Sequence, residues 1–108
     1  MQVNFNQRGC KPFFKKHRQQ ATAIKDVIAK GLVREVAAGM PNVKLASRQR
    51  IGGQRVYEMR LNIGKPGSVR LAFAVDGDQV TVFFISVHLQ KATFSQEFDH
   101  VLTSLRTD

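Results

Sequence analysis

Cysteine, tryptophan and acidic residues are scarce in this sequence. Its 108 residues include one cysteine, no tryptophan and only eight Asp and Glu residues. A single cysteine, Cys10, cannot form a disulfide within the chain or a zinc site built from several thiolates, so a reducing compartment is expected. Carboxylates are too few to suggest a magnesium site, and no familiar catalytic or metal-binding motif is present. We therefore predict a protein without a metal ion or another cofactor.

Long apolar segments are also missing. The longest apolar run, Val80–Val87, has eight residues and contains Thr81 and Ser86, whereas a helix needs roughly 20 apolar residues to cross a bilayer. The segment Met1–Gln7 is polar and alternating, unlike the apolar part of a secretory signal. These features predict no membrane association and a cytoplasmic location.

Positive charge is abundant and unevenly distributed. Lys and Arg number 17 against eight Asp and Glu, which gives a net charge of +9. Residues 1–70 hold fifteen basic and three acidic side chains, and residues 71–108 hold two basic and five acidic ones. Clustered cations favour a polyanion, most often a nucleic acid, through phosphate contacts and counterion release. A basic protein that is merely soluble is the alternative.

The composition predicts one globular domain over residues 1–108, because 43% of the residues are apolar and 23% are charged. Residues 2–6 alternate as a strand does, and residues 7–18 read as a short basic helix. An amphipathic helix is predicted over residues 21–38, ended by Gly39 and Pro41. The two consecutive helices predict a helical hairpin.

Three more strands are predicted at residues 56–63, 69–75 and 79–87, after a polar loop at 42–54. Asp76-Gly77 is a hairpin signal that would place Val75 opposite Asp78. Apolar residues from Phe94 to Leu105 at helical spacing predict a C-terminal helix. The order β-α-α-β-β-β-α predicts an α+β fold: a small twisted antiparallel sheet with the N-terminal helical hairpin on one face, and a C-terminal helix.

Two arginines are candidate catalytic residues. If the last three strands pair in order, Arg60 and Arg70 lie on one face, beside the small side chains of Ala72 and Ala74. Small neighbours would leave a shallow concavity with two guanidinium groups, whose planar fork matches phosphate oxygens. Solvated arginines on an exposed sheet face are the alternative.

His88 follows the last strand and is a candidate general acid or base, since the unperturbed pKa of histidine, about 6.5, allows both roles near neutral pH. Alternation along the strand would point it to the apolar face. Lys91 is a further candidate catalytic residue, and Gln90 and Lys65 near the same rim are candidate RNA contacts. The basic loop residues are candidate contacts to an RNA backbone: Lys44, Arg48, Arg50 and Arg55. His17 and His100 read as surface residues.

The segments Val56–Leu61, Val69–Phe73 and Gln79–Val87, followed by a terminal helix, resemble the RelE/ParE/HigB superfamily of toxins from type II toxin–antitoxin systems. The resemblance covers nearly the whole chain in order, and its specific part is residues 56–91. It implies a RelE-like toxin domain that acts as a metal-independent endoribonuclease, or mRNA interferase. Such a hydrolase cuts mRNA on the ribosome beside 16S rRNA, inhibits translation and growth, and is neutralised by a cognate antitoxin protein.

The resemblance also assigns roles to residues of this chain. Arg70 matches the strand arginine that contacts the scissile phosphate in RelE-like enzymes, and Arg60 falls where the family has a strand lysine or arginine. His88, Gln90 and Lys91 occupy the region from which other members supply catalytic side chains.

The sequence departs from the family pattern at two points. Glu58 stands where some members have a second lysine, and the C-terminal tyrosine of some RelE proteins has no counterpart. The resemblance therefore leaves the acid–base assignment open. Two other functions also stay open: a ParE-like inhibitor of DNA gyrase, and a non-catalytic nucleic-acid-binding regulatory module.

Overall fold

A computed structural model describes residues 1–65 and 67–106. Its elements are β1 (Gln2–Phe5), α1 (Gln7–Lys16), a 3-10 turn (Arg18–Gln20), α2 (Ala21–Ala37), β2 (Lys44–Leu45), β3 (Tyr57–Asn62), β4 (Ser68–Asp76), β5 (Gln79–Ser86) and α3 (Lys91–Arg106). The α+β class and the predicted order of elements are confirmed, with β2 as an extra strand in the segment predicted as a loop. Within the described residues, every helix is too short or too polar to span a membrane.

The strands form one sheet in the order β1-β5-β4-β3-β2. Strands β2 to β5 pair antiparallel with their neighbours, but β1 runs parallel to β5. The expectation of a wholly antiparallel sheet is therefore wrong at this edge. No tight turn joins β1 to β5, so nothing forces the two strands into the hairpin geometry that makes neighbours antiparallel.

The turn and register of the β4–β5 hairpin differ from the prediction. Asp76 pairs with Gln79, so the two loop residues are Gly77 and Asp78, and Gly77 has a φ of 57°. Left-handed backbone of this kind costs glycine nothing, because it has no Cβ. Val75 consequently lies opposite Val80, and not opposite Asp78 as predicted.

A β-bulge interrupts the same pair of strands further along. Ala72 pairs with Phe84 and Phe73 with Val82, which leaves Phe83 without a partner on β4. Phe83 and Phe84 both pack in the cluster beneath α3, and the alternation of β5 is reversed after them. Strict alternation along β5 would place Phe84 with Val80 and Val82 on one face, but the bulge turns Phe84 to the other side, and Ile85 takes that place.

Helices α1 and α2 cover one side of the sheet, which we call the hairpin face. Both helices and the three central strands supply buried side chains to this core: Cys10, Phe13, Ile24, Ile28, Leu32, Met59, Leu71, Phe73, Val80 and Val82. Burying a large apolar side chain contributes about 1.5–3 kcal/mol, so this cluster is a main source of stability. The predicted packing of the helical hairpin on one face is confirmed.

Helix α3 packs on the opposite side, which we call the α3 face. Its Phe94 and Phe98 rings stack 6.2 Å apart against the sheet. Ala72 and Ala74 lie in the same cluster, 0% and 4% exposed. The shallow open concavity predicted beside these alanines is therefore absent, because the room left by the small side chains is filled by the phenylalanine rings of the chain itself.

Helix α1 starts directly after β1 and packs mainly against β5. The Asn6 side chain caps the helix by accepting a hydrogen bond from the Gly9 backbone N–H, 2.9 Å away. At Gly9 the helix approaches the strand so closely that a Cβ would lie 1.7 Å from the Phe83 carbonyl oxygen. Only glycine fits this crossing.

We expect Gly9→Ala to lower the free energy of unfolding by about 3 kcal/mol, because the added methyl group meets rigid backbone of the bulge. Gly31→Ala is the matched control, since its Cβ would meet the Leu61 side chain at 2.9 Å. That side chain can rotate, and alanine is favoured over glycine inside a helix by about 1 kcal/mol. Urea unfolding of both variants tests the difference; equal losses would show that the crossing is not tight.

Cys10 lies on the buried side of α1 with 2% of its surface exposed, and its thiol donates to the Val82 carbonyl oxygen at 3.3 Å. Burial raises the pKa of this thiol from 9.0 to about 12, although hydrogen bonding to the Asn6 backbone and the charge of Lys25 oppose the rise. The folded protein therefore holds Cys10 as the neutral thiol, a poor nucleophile, near neutral pH.

The raised pKa predicts a loss of stability at alkaline pH. The unfolded thiol ionises near 9.0 and the folded one near 12, so the stabilisation is complete below pH 9 and is lost as the pH rises toward 12. Within this window the free energy of unfolding should fall by up to about 1.4 kcal/mol per pH unit more in the wild type than in Cys10→Ala. Parallel pH curves for the two proteins would contradict the assignment.

Candidate active site

His88 follows β5 and is hydrogen-bonded to a carboxylate on α3. Its Nδ1 lies 2.8 Å from Glu97 Oε2. The buried Ser86 hydroxyl donates to the other oxygen, Glu97 Oε1, at 2.5 Å and accepts from the His88 backbone N–H at 3.0 Å. Because a carboxylate accepts hydrogen bonds, Nδ1 carries the proton of the neutral ring, and Nε2 is the nitrogen that can take a proton.

The position of His88 differs from the predicted one. β5 ends at Ser86, so the alternation that would turn His88 into the apolar core does not continue. Its side chain is 58% exposed. The histidine is therefore accessible to a substrate while Glu97 fixes its orientation.

A cleft of about 170 Å³ opens beside this pair, between the end of α1 and the end of β5. Lys16 and His17 line it from the α1 side, and Ser86, His88 and Glu97 line the other side. The His17 ring packs against the Phe13 ring with 4.5 Å between centroids, which restrains its orientation. Two imidazoles and an ammonium group thus share one small cleft.

The electrostatics of the cleft favour an anion. Among the described residues, Glu97 is the only acidic one that lines the cleft, and both of its carboxylate oxygens are engaged by Ser86 and His88. Lys16 is exposed and adds a positive charge. One imidazole with a defined proton-accepting nitrogen, a second imidazole and a cation are suited to proton transfer at a phosphodiester.

Arg60 and Arg70 are register partners on β3 and β4 and share the α3 face, together with Ser86 on β5. Arg60 is exposed. The Arg70 guanidinium has internal partners: its Nη1 lies 2.7 Å from Glu58 Oε1, and its Nε donates to the Leu89 carbonyl oxygen at 2.8 Å. Arg70 therefore fastens the segment that carries His88 to β4.

Glu58 is the buried member of this ion pair. Its side chain is 0% exposed and that of Arg70 is 18% exposed. The second carboxylate oxygen, Oε2, has no hydrogen-bond partner among the described residues. An ionised carboxyl group in such a place depends on the cation that pairs with it.

The remaining rim residues lie near His88 but outside the cleft. Gln90 and Lys91 are exposed at the start of α3. Lys65 is exposed in the turn between β3 and β4. This turn is at the end of the sheet where β5 ends, because Arg70 near the start of β4 pairs with Ser86.

The basic loop residues lie elsewhere. Arg48 lines a separate concavity of about 410 Å³ together with Ser95 and Asp99 of α3. Glu97 lies between these two positions in sequence and so points to the opposite side of the helix. The other three residues of the set are also exposed, Lys44 on β2 and Arg50 and Arg55 before β3. Helix α3 thus separates Arg48 from the His88 cleft.

Sequence reasoning missed four residues of the cleft: Lys16, His17, Ser86 and Glu97. We predicted His17 to be a plain surface histidine, and the structure brings its ring to the cleft that contains His88. The basic character of α1 was visible in the sequence, but its crossing over β5 was not. The Glu97 contact depends on which face α3 covers, which no local pattern specifies.

Within residues 1–65 and 67–106, no three His, Cys, Asp or Glu side chains come close enough together to hold a metal ion. Comparison with known proteins gave no family model, curated protein or solved structure that matches this chain.

Proposed function

We propose that this protein is an endoribonuclease that cleaves RNA through attack by the 2′-hydroxyl group, with His88 as the general base. The observation that carries the proposal is the 2.8 Å contact between His88 Nδ1 and Glu97, in a cleft that also contains His17 and Lys16. The net charge of +9 supports a polyanionic substrate.

In the proposed reaction, His88 Nε2 takes the proton of the 2′-hydroxyl. The 2′-oxygen forms a bond to phosphorus, and the bond from phosphorus to the 5′-oxygen breaks. His17 gives a proton to the leaving 5′-oxygen, and Lys16 offsets the charge that builds up on the phosphate. The products are a 2′,3′-cyclic phosphate and a 5′-hydroxyl end, and Glu97 stabilises the His88 imidazolium in the transition state.

This assignment changes the roles expected for the arginines. Arg70 acts as a positioning residue, because it binds the Leu89 carbonyl next to His88 and the buried Glu58. Arg60, Lys65 and Lys91 are exposed cations at the same end of the sheet and are suited to hold the RNA on either side of the cleft.

The resemblance to RelE-like toxins extends the proposal to the biological role. The substrate is then mRNA on the ribosome, near 16S rRNA, in the cytoplasm, and a cognate antitoxin protein neutralises the enzyme. Support for this part comes from residues 56–91 and from the concentration of positive charge in residues 1–70.

Incubation of the purified protein with a labelled single-stranded RNA tests the activity. We expect fragments that end in 2′,3′-cyclic phosphate and begin with 5′-hydroxyl, at a rate that does not change on addition of EDTA. Fragments with 5′-phosphate ends, or complete loss of cleavage with EDTA, would overturn the mechanism.

A translating extract and a DNA gyrase supercoiling assay test the biological role. Cleavage of message within codons supports the toxin proposal. Intact message with inhibited supercoiling would instead indicate a gyrase inhibitor, and no effect in either assay would overturn the toxin role.

A further inference from the structure

Basic residues of α1, the turn after it and α2 form a surface that extends beyond the His88 cleft, and apart from Lys16 the proposed reaction does not use them. A groove of about 300 Å³ is lined by Lys11, Phe14, Lys15, Arg18 and Lys25, with Gln7 at its rim. Over residues 1–65 and 67–106, no acidic side chain lines it, and the sequence has no Asp or Glu before Asp26. Asp26 itself pairs with Lys30, 3.0 Å away.

This groove is continuous with the His88 cleft. Lys15 and Arg18 also line a neighbouring concavity, in which they are joined by Lys16 and His17. Lys16 and His17 in turn line the cleft that contains His88. Shared residues therefore connect three concavities, and we call the set Lys11, Lys15, Lys16, Arg18 and Lys25 the basic track.

Packing and helix geometry fix the track in place. The Lys25 ammonium group lies 4.9 Å from the centre of the Phe14 ring and 5.7 Å from that of Phe5, within the range of cation–π contacts. Lys11 and Lys15 are four residues apart on α1 and so project from the same side of the helix. Positive charges are thus presented along a rigid element.

We propose that the basic track binds the sugar–phosphate backbone of single-stranded RNA next to the nucleotide that enters the His88 cleft. This inference rests on the proposed ribonuclease function and names the path of its substrate. Lysine and arginine contacts to phosphate carry affinity without base specificity. An acidic protein would also meet these charges, but the continuity with a cleft suited to a phosphodiester favours RNA.

Binding of a fluorescent 2′-O-methyl RNA tests the track apart from catalysis, because this RNA has no 2′-hydroxyl to react. Lys11→Gln/Lys15→Gln should weaken binding about tenfold at 0.1 M salt. It should also lower the slope of log Kd against log salt by about 1.4, since each phosphate contact to a single strand contributes about 0.7. The matched control is Lys30→Gln/Arg34→Gln on α2, with the same spacing and charge change, which should bind as the wild type does.

The outcomes separate this inference from the proposed function. If His88→Ala abolishes cleavage but the track variant binds and cleaves as the wild type does, the track is refuted and the ribonuclease proposal stands. If the track variant loses affinity but His88→Ala cleaves normally, the track stands and the proposed reaction fails. In cleavage assays the track variant should raise KM and leave kcat unchanged.

Two further results would overturn the track. One is an affinity loss in Lys44→Gln/Arg48→Gln/Arg55→Gln that equals or exceeds the loss in the track variant, because the RNA would then lie over the loop. The other is unchanged RNA affinity in the track variant, which would indicate that the basic track binds a partner other than RNA, such as an acidic protein.

Discussion

His88→Ala should reduce the rate of RNA cleavage by about 100- to 10,000-fold, the usual contribution of a positioned general acid or base. The side chain is 58% exposed, and its polar contact in the protein is with Glu97. We therefore expect its removal to leave the melting temperature nearly unchanged. The rate is measured on a single-stranded RNA under single-turnover conditions.

His100→Ala provides the control, because His100 is an exposed histidine on α3 that does not line the His88 cleft. It should cleave as the wild type does. Glu97→Gln should lose activity, since the glutamine amide can donate to Nδ1 and favour the tautomer in which Nε2 is no longer an acceptor. Full activity in His88→Ala would remove the basis of the proposed mechanism.

Arg70→Ala should lower the free energy of unfolding by about 3–5 kcal/mol, the usual effect of removing one partner of a buried ion pair. The variant leaves the Glu58 carboxyl, 0% exposed, without the one cation that pairs with it in the described part of the chain. It also removes the hydrogen bond that holds the Leu89 carbonyl beside His88. Chemical denaturation at pH 7 measures the first effect.

Arg60→Ala is the matched control for Arg70, since the two residues are register partners and Arg60 is exposed. Its effect on stability should stay within about 0.5 kcal/mol. Glu58→Gln combined with Arg70→Ala should recover part of the lost stability, because no unpaired charge is then buried. An Arg70→Ala protein as stable as the wild type but inactive would instead place Arg70 in contact with the phosphate.

The sequence was sufficient to predict the elements of the fold. Periodicity located both N-terminal helices, the three central strands and the C-terminal helix close to their observed bounds. It did not predict the parallel pairing of β1 with β5, because these segments are far apart in sequence, or strand β2, because its two residues are too few to show alternation. The bulge at Phe83 was also missed, since Phe83-Phe84-Ile85 reads as uninterrupted strand.

The candidate site was predictable only in part. His88 was identified from its chemistry and its place after the central strand, and the shared face of Arg60 and Arg70 follows from strand alternation. The carboxylates that contact His88 and Arg70 were not predictable. Glu97 reaches His88 only because α3 covers the face of Ala72 and Ala74. Alternation along β3 puts Glu58 on this same face, and its burial depends on the packing of α3, which the sequence pattern does not show.

The unpaired residue Phe83 determines which side of the sheet the later residues of β5 face. Ile85 points toward the hairpin face and Ser86 toward α3 only because one unpaired residue precedes them. Had β5 continued through Phe83 without the bulge, strict alternation would exchange the two sides, put an isoleucine where the Glu97 carboxylate needs a hydroxyl, and bury a serine under α1 and α2. Deletion of Phe83 would remove the bulge and leave Ile85 and Ser86 on their present sides. The bulge therefore determines which side chain of β5 meets the Glu97 carboxylate.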